Sequence, residues 1–404
     1  MKQQKIKIGV VSITTPPSPS GQAIVLSELL SINNRFDFYL YNTGSYDLDQ
    51  VNDPHRTNKC HNAIIGNFSH GSGGTQPRKR YSWIQPISII LDLVDIISKA
   101  KKLEKEFDSS KIDIAIACSG EITDLPAACK ASRKLGIPLI HYAFDDYVNR
   151  EIGIRRVWAR AIERIYMKYV ERTIVTNEFE EMDYRERGYT NTMIVRNPSP
   201  VEKIIECSRN LKKVGNDPFQ IIYTGSIYSA HYDSFKRLIL AMELAESDWN
   251  LHIYTSISPE ILAENGIVGS RVKILPYVRR VEAILAMIRS DALFLPLAFE
   301  SQYPEVIRSS SPGKIGDYLS SGTPVLVHAP SDSYVAKLFI DNNCGIVIDV
   351  PDAIAISKAL HKLASDLRNN EVLSRNSRMT ATNEFAREVN FERFAKAIEL
   401  AFDS

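Results

Sequence analysis

The sequence predicts an α/β protein made of two successive doubly wound domains. Short β-branched runs alternate with longer segments of helical period through nearly the whole chain, the signature of parallel sheets with crossover helices. A length of 404 residues exceeds what one core of ordinary size needs. The alternation also breaks around Asn197-Pro198-Ser199-Pro200 and Gly215-Asn216-Asp217-Pro218, and a second alternating series starts beyond the break.

In the first series strands are predicted over 5–13, 36–41, 112–118, 138–142, 173–176 and 193–195, with helices over 21–32, 86–106, 125–135, 158–170 and 178–187. Between about 43 and 81 no period emerges, and Gly, Ser, Asn and Pro crowd the segment, including Gly71-Ser72-Gly73-Gly74. A loop of that length inside a compact domain usually serves a function or moves. In the second series strands are predicted over 220–224, 251–255, 272–276, 292–296, 324–327 and 345–349, each followed by a helical stretch. An amphipathic helix over 391–402 closes the chain. The domains are therefore expected at 1–212 and 213–385, with a closing segment 386–404.

Composition bounds the function. Lys plus Arg number 49 against 48 Asp plus Glu, so no overall field draws the chain to nucleic acid. Cys60, Cys118, Cys129, Cys207 and Cys344 are scattered, without CxxC or zinc-ligand spacing, and read as reduced thiols of a cytoplasmic protein. The apolar run 6–13 is too short for a membrane span and is read as a strand, not a signal peptide; the window 84–97 is interrupted by Asp92 and Asp95.

In open α/β sheets ligands bind at the carboxyl ends of the strands, so the loops there carry the candidates. After the first strand, Pro16-Pro17-Ser18-Pro19-Ser20-Gly21 leads into a helix, and Gly21 lets backbone approach a ligand; the alternative is a plain strand–helix turn. At 140–147, Asp145 and Asp146 point to different sides of an extended chain, so one can accept from a substrate hydroxyl while the other caps a helix. His141 is either a base or a satisfied core histidine. In the second domain Gly225-Ser226 follows the first strand and suits close approach to a phosphate. The strongest segment runs from Ser310 to Leu326. Pro312 and Gly313 suit the turn into a helix and Gly322 its end, while Lys314 sits in the first turn, where a cation opposes the helix dipole unless an anion shares the site. A diphosphate resolves that conflict, and Asp317, three residues on, is placed to accept both hydroxyls of a ribose. The competing reading is a capped helix with solvated charges. No GxGxxG or Walker A motif is present.

The stretch 299–330, centred on Ser-Pro-Gly-Lys-Ile-Gly-Asp-Tyr-Leu-Ser-Ser-Gly-Thr-Pro-Val, resembles the donor-binding region of glycosyltransferase family 4. Members commonly read Pro-x-Lys, two residues, an acid, Tyr, three residues, then Gly-x-Pro. Segments 136–147, 173–198 and 219–226 are similar to the family's first-domain strand end, its exit from the first domain and the strand opening the second. The resemblance implies the GT-B fold, two Rossmann-like domains facing a central cleft, with the closing helix returning to the first. It implies retaining transfer of a sugar from a nucleotide-sugar donor to a glycan or lipid-linked acceptor, with no metal and no cofactor. Carried over, Asp317 holds the donor ribose, Lys314, Gly225, Ser226 and Gly21 face the diphosphate, Pro312 shapes the turn, and Asp145 lies near the reacting hydroxyls. His141, Asp146 and His231 are the acceptor-side candidates. The chain departs from the pattern at Ser309, where the family has the first Glu of a Glu-x7-Glu pair, and at Tyr228-Ser229-Ala230-His231, where Arg and Lys are usual and His231 is a partial substitute.

Basic residues run from Arg150 through Arg155, Arg156, Arg160, Arg164 and Lys168 to Arg172, interleaved with Trp158, Tyr166 and Tyr169; a second such patch is Arg78-Lys79-Arg80-Tyr81-Ser82-Trp83. These suit an anionic membrane surface and a peripheral location at its inner face; the competing reading is a solvated helix face offset by Glu151, Glu163 and Glu171. Two other functions stay open: a nucleotide-sugar epimerase or hydrolase of the same fold, and a non-catalytic nucleotide-sugar-binding paralogue. A metal-dependent fold would use an Asp-x-Asp such as Asp47-Leu48-Asp49, which falls in the early polar stretch.

Overall fold

The computed structural model describes residues 5–18, 20–44, 61–64, 85–211, 218–245 and 248–404. Cys60, Asp47-Leu48-Asp49, the glycine-rich tract at 71–74, the basic patch at 78–83 and Gly215-Asn216-Asp217 lie outside the described residues. The chain divides into two compact units, one running to Arg196 and including Asn390–Ser404, the other Asn197–Val389.

The first unit contains, in order, β1 (Lys7–Ser12), α1 (Gly21–Ser31), β2 (Asp37–Asn42), β3 (His61–Ile64), α2 (Gln85–Ser110), β4 (Ile114–Cys118), α3 (Asp124–Leu135), β5 (Leu139–Tyr142), α4 (Gly153–Tyr166), a 3-10 turn Met167–Tyr169, β6 (Arg172–Val175), α5 (Glu178–Glu186) and β7 (Thr192–Ile194). All strands pair in parallel in the order β3-β2-β1-β4-β5-β6-β7. Every residue of β4 is buried, as expected of a central strand covered by helices on both faces. Helix α3 carries Asp124 in its first turn and Arg133 and Lys134 in its last, in accord with the helix dipole, and stops at Gly136, whose φ of 68° suits the left-handed cap.

The second unit opens with α6 (Val201–Asn210), followed by β8 (Gln220–Thr224), α7 (Tyr232–Leu244), β9 (Asn250–Tyr254), α8 (Pro259–Glu264), β10 (Val272–Leu275), α9 (Arg280–Arg289), β11 (Ala292–Pro296), α10 (Pro304–Ser309), α11 (Ile315–Ser321), β12 (Val325–His328), α12 (Tyr334–Asp341), β13 (Ile346–Ile348), α13 (Ala353–Ser365) and α14 (Leu367–Thr380). Its strands are parallel in the order β10-β9-β8-β11-β12-β13. In each sheet the order reverses beside the unit's first strand, between β1 and β4 and between β8 and β11, and the crevice at the carboxyl ends there is where doubly wound folds place ligands.

Three features differ from the sequence expectation. Strand β3 pairs with β2 inside the stretch read as an unbroken loop. Helix α6 was not anticipated. The units meet at Arg196 and Asn197 instead of at 212, because Asn197 donates to the Ser311 carbonyl and Ser199 to Asp317, both within the second unit. The closing helix α15 (Arg387–Phe402) places Phe391, Phe394 and Ile398 in the first unit's core with Ile8, Val10, Phe38 and Ile116. Its Asn390 side chain accepts from the Arg196 amide at 2.8 Å, and the Phe394 ring stacks on Phe38 with centroids 6.2 Å apart.

Replacing a buried core phenylalanine by alanine costs about 3–5 kcal/mol. Phe394→Ala should therefore destabilise the first unit by that order in urea unfolding, and a loss below about 1 kcal/mol would show that α15 adds nothing to this core.

Candidate functional site

The best-formed site lies at the switch point of the second sheet. Strand β8 ends at Thr224, and the next residue, Gly225, has φ 115°, a region side chains rarely adopt. The turn from Gly225 to His231 is tied down on several sides. The Gly225 amide donates to the Tyr254 carbonyl at 2.9 Å, and the Tyr223 hydroxyl donates to the Ser226 carbonyl at 2.7 Å. The Ala298 amide donates to the Ala230 carbonyl at 2.8 Å, joining this turn to the one after β11. Asp233 holds the latter by accepting from the Phe299 amide at 2.8 Å.

Lys314 enters this turn from the residue before α11. Its ammonium sits 3.7 Å from the centroid of the Tyr223 ring, and a Cβ built on Gly225 would fall 3.0 Å from its Nζ. The backbone angle favours glycine, and an added Cβ would press on the end of the lysine. Among the described residues no carboxylate is paired with this ammonium, whose company is a ring face and a histidine. Burial lowers the Lys314 amine to about pH 7. His231, which precedes α7, is lowered to about 3, first by burial and then by the nearby Lys314, so its ring is neutral; its Nδ1 is buried without a hydrogen-bond partner. The pocket therefore has surplus positive character and unsatisfied polar atoms, the opposite of a closed salt bridge.

Asp317 lies one helical turn on, and its carboxylate is already engaged. Its Oδ1 accepts from Arg280 Nη2 at 2.7 Å and from Ser199 Oγ at 2.6 Å, while Oδ2 accepts from Arg280 Nε at 3.1 Å. A carboxylate offers about four lone-pair positions, so the expectation that Asp317 accepts both ribose hydroxyls is corrected: the internal donors leave it room for one. Arg280, Ser199 and Tyr223 were not singled out from the sequence. The Arg279-Arg280 pair opening a helix was the available signal for the first. Ser309 donates to the Glu305 carbonyl at 3.1 Å, Pro312 lies in the turn between α10 and α11, and the buried Ser311 hydroxyl has no partner.

In the first unit the candidates separate. Gly21 is the first residue of α1, behind the N-cap Ser20, and a Cβ there would meet nothing within 4 Å. Asp145 is exposed just beyond β5, its amide donating to Ser119 Oγ at 3.1 Å. Asp146 is buried: it caps the Val148 and Asn149 amides and is gripped by Arg187, with Nη2 to Oδ2 at 2.7 Å. His141 is wholly buried. Its Nδ1 faces the Ala117 carbonyl at 3.2 Å, so this nitrogen carries the proton, and Nε2 accepts from the Tyr184 hydroxyl at 3.2 Å. Burial lowers it to about 4. Packing thus removes His141 and Asp146 from the groups that reach an acceptor in this arrangement, and Asp145 remains at the surface.

Gly225→Ala should lower stability by about 1–3 kcal/mol through its backbone angle and displace the Lys314 ammonium. Thermal unfolding together with the NMR shift of the Lys314 amine reads both effects; an unchanged lysine resonance would break the proposed dependence of Lys314 on this turn.

No family model and no curated protein matches the chain. Solved structures do. Sucrose-phosphate synthase from Thermosynechococcus elongatus superposes with a TM-score of 0.70 at 12% identity, covering 99% of this chain and 100% of that one. HepE from Anabaena, in complex with UDP and glucose, gives 0.67 at 13% identity over 98% and 99% of the two chains. A putative UDP-N-acetylglucosamine 2-epimerase from Listeria monocytogenes gives 0.60 at 14% identity over 99% and 97%. With both sheets in Rossmann-like order and full-length likeness to glycosyltransferase structures, the chain has the GT-B fold.

Proposed function

We propose that this protein is a glycosyltransferase that takes a sugar from a nucleotide-sugar donor. The observation that carries the proposal is the half-buried Lys314 ammonium, without an anionic partner among the described residues, against the Tyr223 ring beside the Gly225 turn. Breaking the bond between the sugar and the diphosphate leaves negative charge on the departing phosphate. The Lys314 cation and the Ser226 amide stabilise that charge at the switch point, while the Gly225 amide, given to Tyr254, holds the turn in place. In this reading transfer proceeds with retention and needs no bound metal or cofactor, Asp145 acts on the sugar hydroxyls and Gly21 on the diphosphate, and the acceptor is a glycan or a lipid-linked saccharide of a polysaccharide or glycoconjugate route. Ribose recognition is shared between the one remaining acceptor position of Asp317 and the Arg280 it holds. The UDP and glucose bound by HepE support a nucleotide-sugar donor.

A second reading, sugar epimerisation on the same fold, is favoured by the likeness to the putative 2-epimerase. A third, nucleotide-sugar binding without catalysis, draws on Ser309 in place of an acid and on the internal pairing of Asp317. Incubation with a nucleotide sugar separates them: released nucleoside diphosphate with a glycosylated acceptor supports transfer, a changed sugar on an intact donor supports epimerisation, and a raised melting temperature without turnover supports binding alone.

Lys314→Ala should lower turnover by about two to three orders of magnitude in a folded protein, and unchanged turnover would remove Lys314 from the mechanism. Asp145→Asn retaining full transfer would do the same for Asp145. A pH dependence follows from the lysine. Its free-state value lies near 7, below the ordinary lysine range, and a bound diphosphate raises it. Binding above pH 7 must therefore take up a proton, and nucleoside-diphosphate affinity should fall by up to about tenfold per pH unit there. Calorimetry on Lys314→Met should show that slope abolished.

A further inference from the structure

Helix α2 buries Ile96, Leu103 and Phe107 in the core, but its first half buries polar side chains and leaves apolar ones outside. Its Ser88, Asp92, Asp95 and Lys99 are buried at 0–4% exposure, whereas Ile90, Val94 and Ile97 are exposed at 63%, 56% and 53%. At about 3.6 residues per turn these three share one stripe, continued by the exposed Lys101, with Leu91 and Leu93 on its flanks. The inward charges are paired. Lys99 Nζ lies 2.7 Å from Asp124 and 3.1 Å from Asp95, and Arg155 of α4 lies 3.1 Å from Asp92 and 3.1 Å from Glu151. Rotating α2 to hide Ile90, Val94 and Ile97 would take Asp92 and Lys99 away from Arg155 and Asp124, leave those two buried charges without these partners, and expose Ile96, Leu103 and Phe107. The apolar stripe is therefore a fixed part of the surface.

Helix α4, joined to α2 through Arg155, extends it with exposed Ile154, Val157 and Ile165. Most of the exposed charges around the stripe are basic. Glu151 and Glu163 point inward and are buried, while Arg160, Arg164 and Lys168 on this side, and Lys101, Lys102 and Lys105 on α2, are exposed; Glu104 and Glu106 are half-exposed, Glu104 paired with Lys134, and exposed Asp108 and Glu171 lie at the far ends of these elements. Trp158, Tyr166 and Tyr169 pack on the core, so the aromatic side chains interleaved in the sequence are not the ones presented.

We propose that this face docks on an anionic bilayer surface, its isoleucines, valines and leucines entering the acyl boundary and its lysines and arginines meeting lipid phosphates. A second copy of the chain fits poorly, because a two-fold contact would set this cationic rim against itself. Among the described residues no helix is long and apolar enough to cross a membrane; the contact is interfacial.

The test is co-sedimentation with vesicles of phosphatidylcholine alone and of phosphatidylcholine with phosphatidylglycerol. The wild-type chain should bind the anionic vesicles, less so as salt rises. Ile90→Ser/Val94→Ser/Ile97→Ser and Arg160→Glu/Arg164→Glu should each bind at least about tenfold more weakly, with unchanged circular dichroism, since all five side chains lie outside the core. A bimane on Ile97→Cys, in a chain with Cys60→Ser and Cys207→Ser, should report water in the free protein and an apolar environment on the anionic vesicles. Equal retention by neutral vesicles, or retention by neither, overturns the proposal. So does a dimer that the serine variant dissociates, or a bimane already in an apolar environment in the free monomer, which would mean that the chain covers its own stripe. None of these readouts depends on sugar transfer.

Discussion

A half-buried lysine ammonium held against a tyrosine ring, without an anion beside it among the described residues, organises the second unit's site. Desolvation alone holds the Lys314 amine near neutrality, and it simultaneously drives the adjoining His231 to the neutral form. The surrounding features follow from accommodating that cation. Gly225 supplies the positive φ that brings the turn against the lysine, and the Gly225–His231 turn is braced by Tyr254, Tyr223 and the turn after β11. A closed ion pair here would be more stable and chemically idle. An unneutralised cation at a switch point is a standing preference for an anionic ligand.

The neighbouring carboxylate is handled the other way. Asp317 is shorter than the Glu common in the family the sequence resembles, and it is met by Arg280 and Ser199, so Lys314 and Asp317, three residues apart, do not neutralise each other. Keeping these two charges separate is what the proposed division of labour, diphosphate to Lys314 and pentose to Asp317, rests on.

The first unit follows a different economy of charge. Asp92, Asp95, Lys99, Arg155, Asp146, Arg187 and Glu163 form buried or half-buried pairs between α2, α3, α4 and α5, and this interior polarity leaves apolar side chains outside. Hydrophobic patterning on α2 was visible in the sequence. Its direction was not, because periodicity reports that two faces differ and leaves open which one meets the core.

Local chemistry determined much of this protein from the sequence alone: both parallel sheets, the C-cap glycine Gly322 and the glycine turn after β8 follow from short-range rules of sterics, capping and apolar runs, while Lys314, read into the first turn of α11, stands one residue earlier as its N-cap. Strand β3 escaped because its short sequence carries no alternation, and its pairing comes from β2. The side-chain partners were decided only by the tertiary structure. Whether His141 is a base or a core residue, whether Asp145 or Asp146 faces water, and whether Asp317 is available to a ligand depend on Tyr184, Arg187 and Arg280, which are distant in sequence. A charge's role is set by the partners packing brings within a few ångströms, and no periodicity along the chain encodes those.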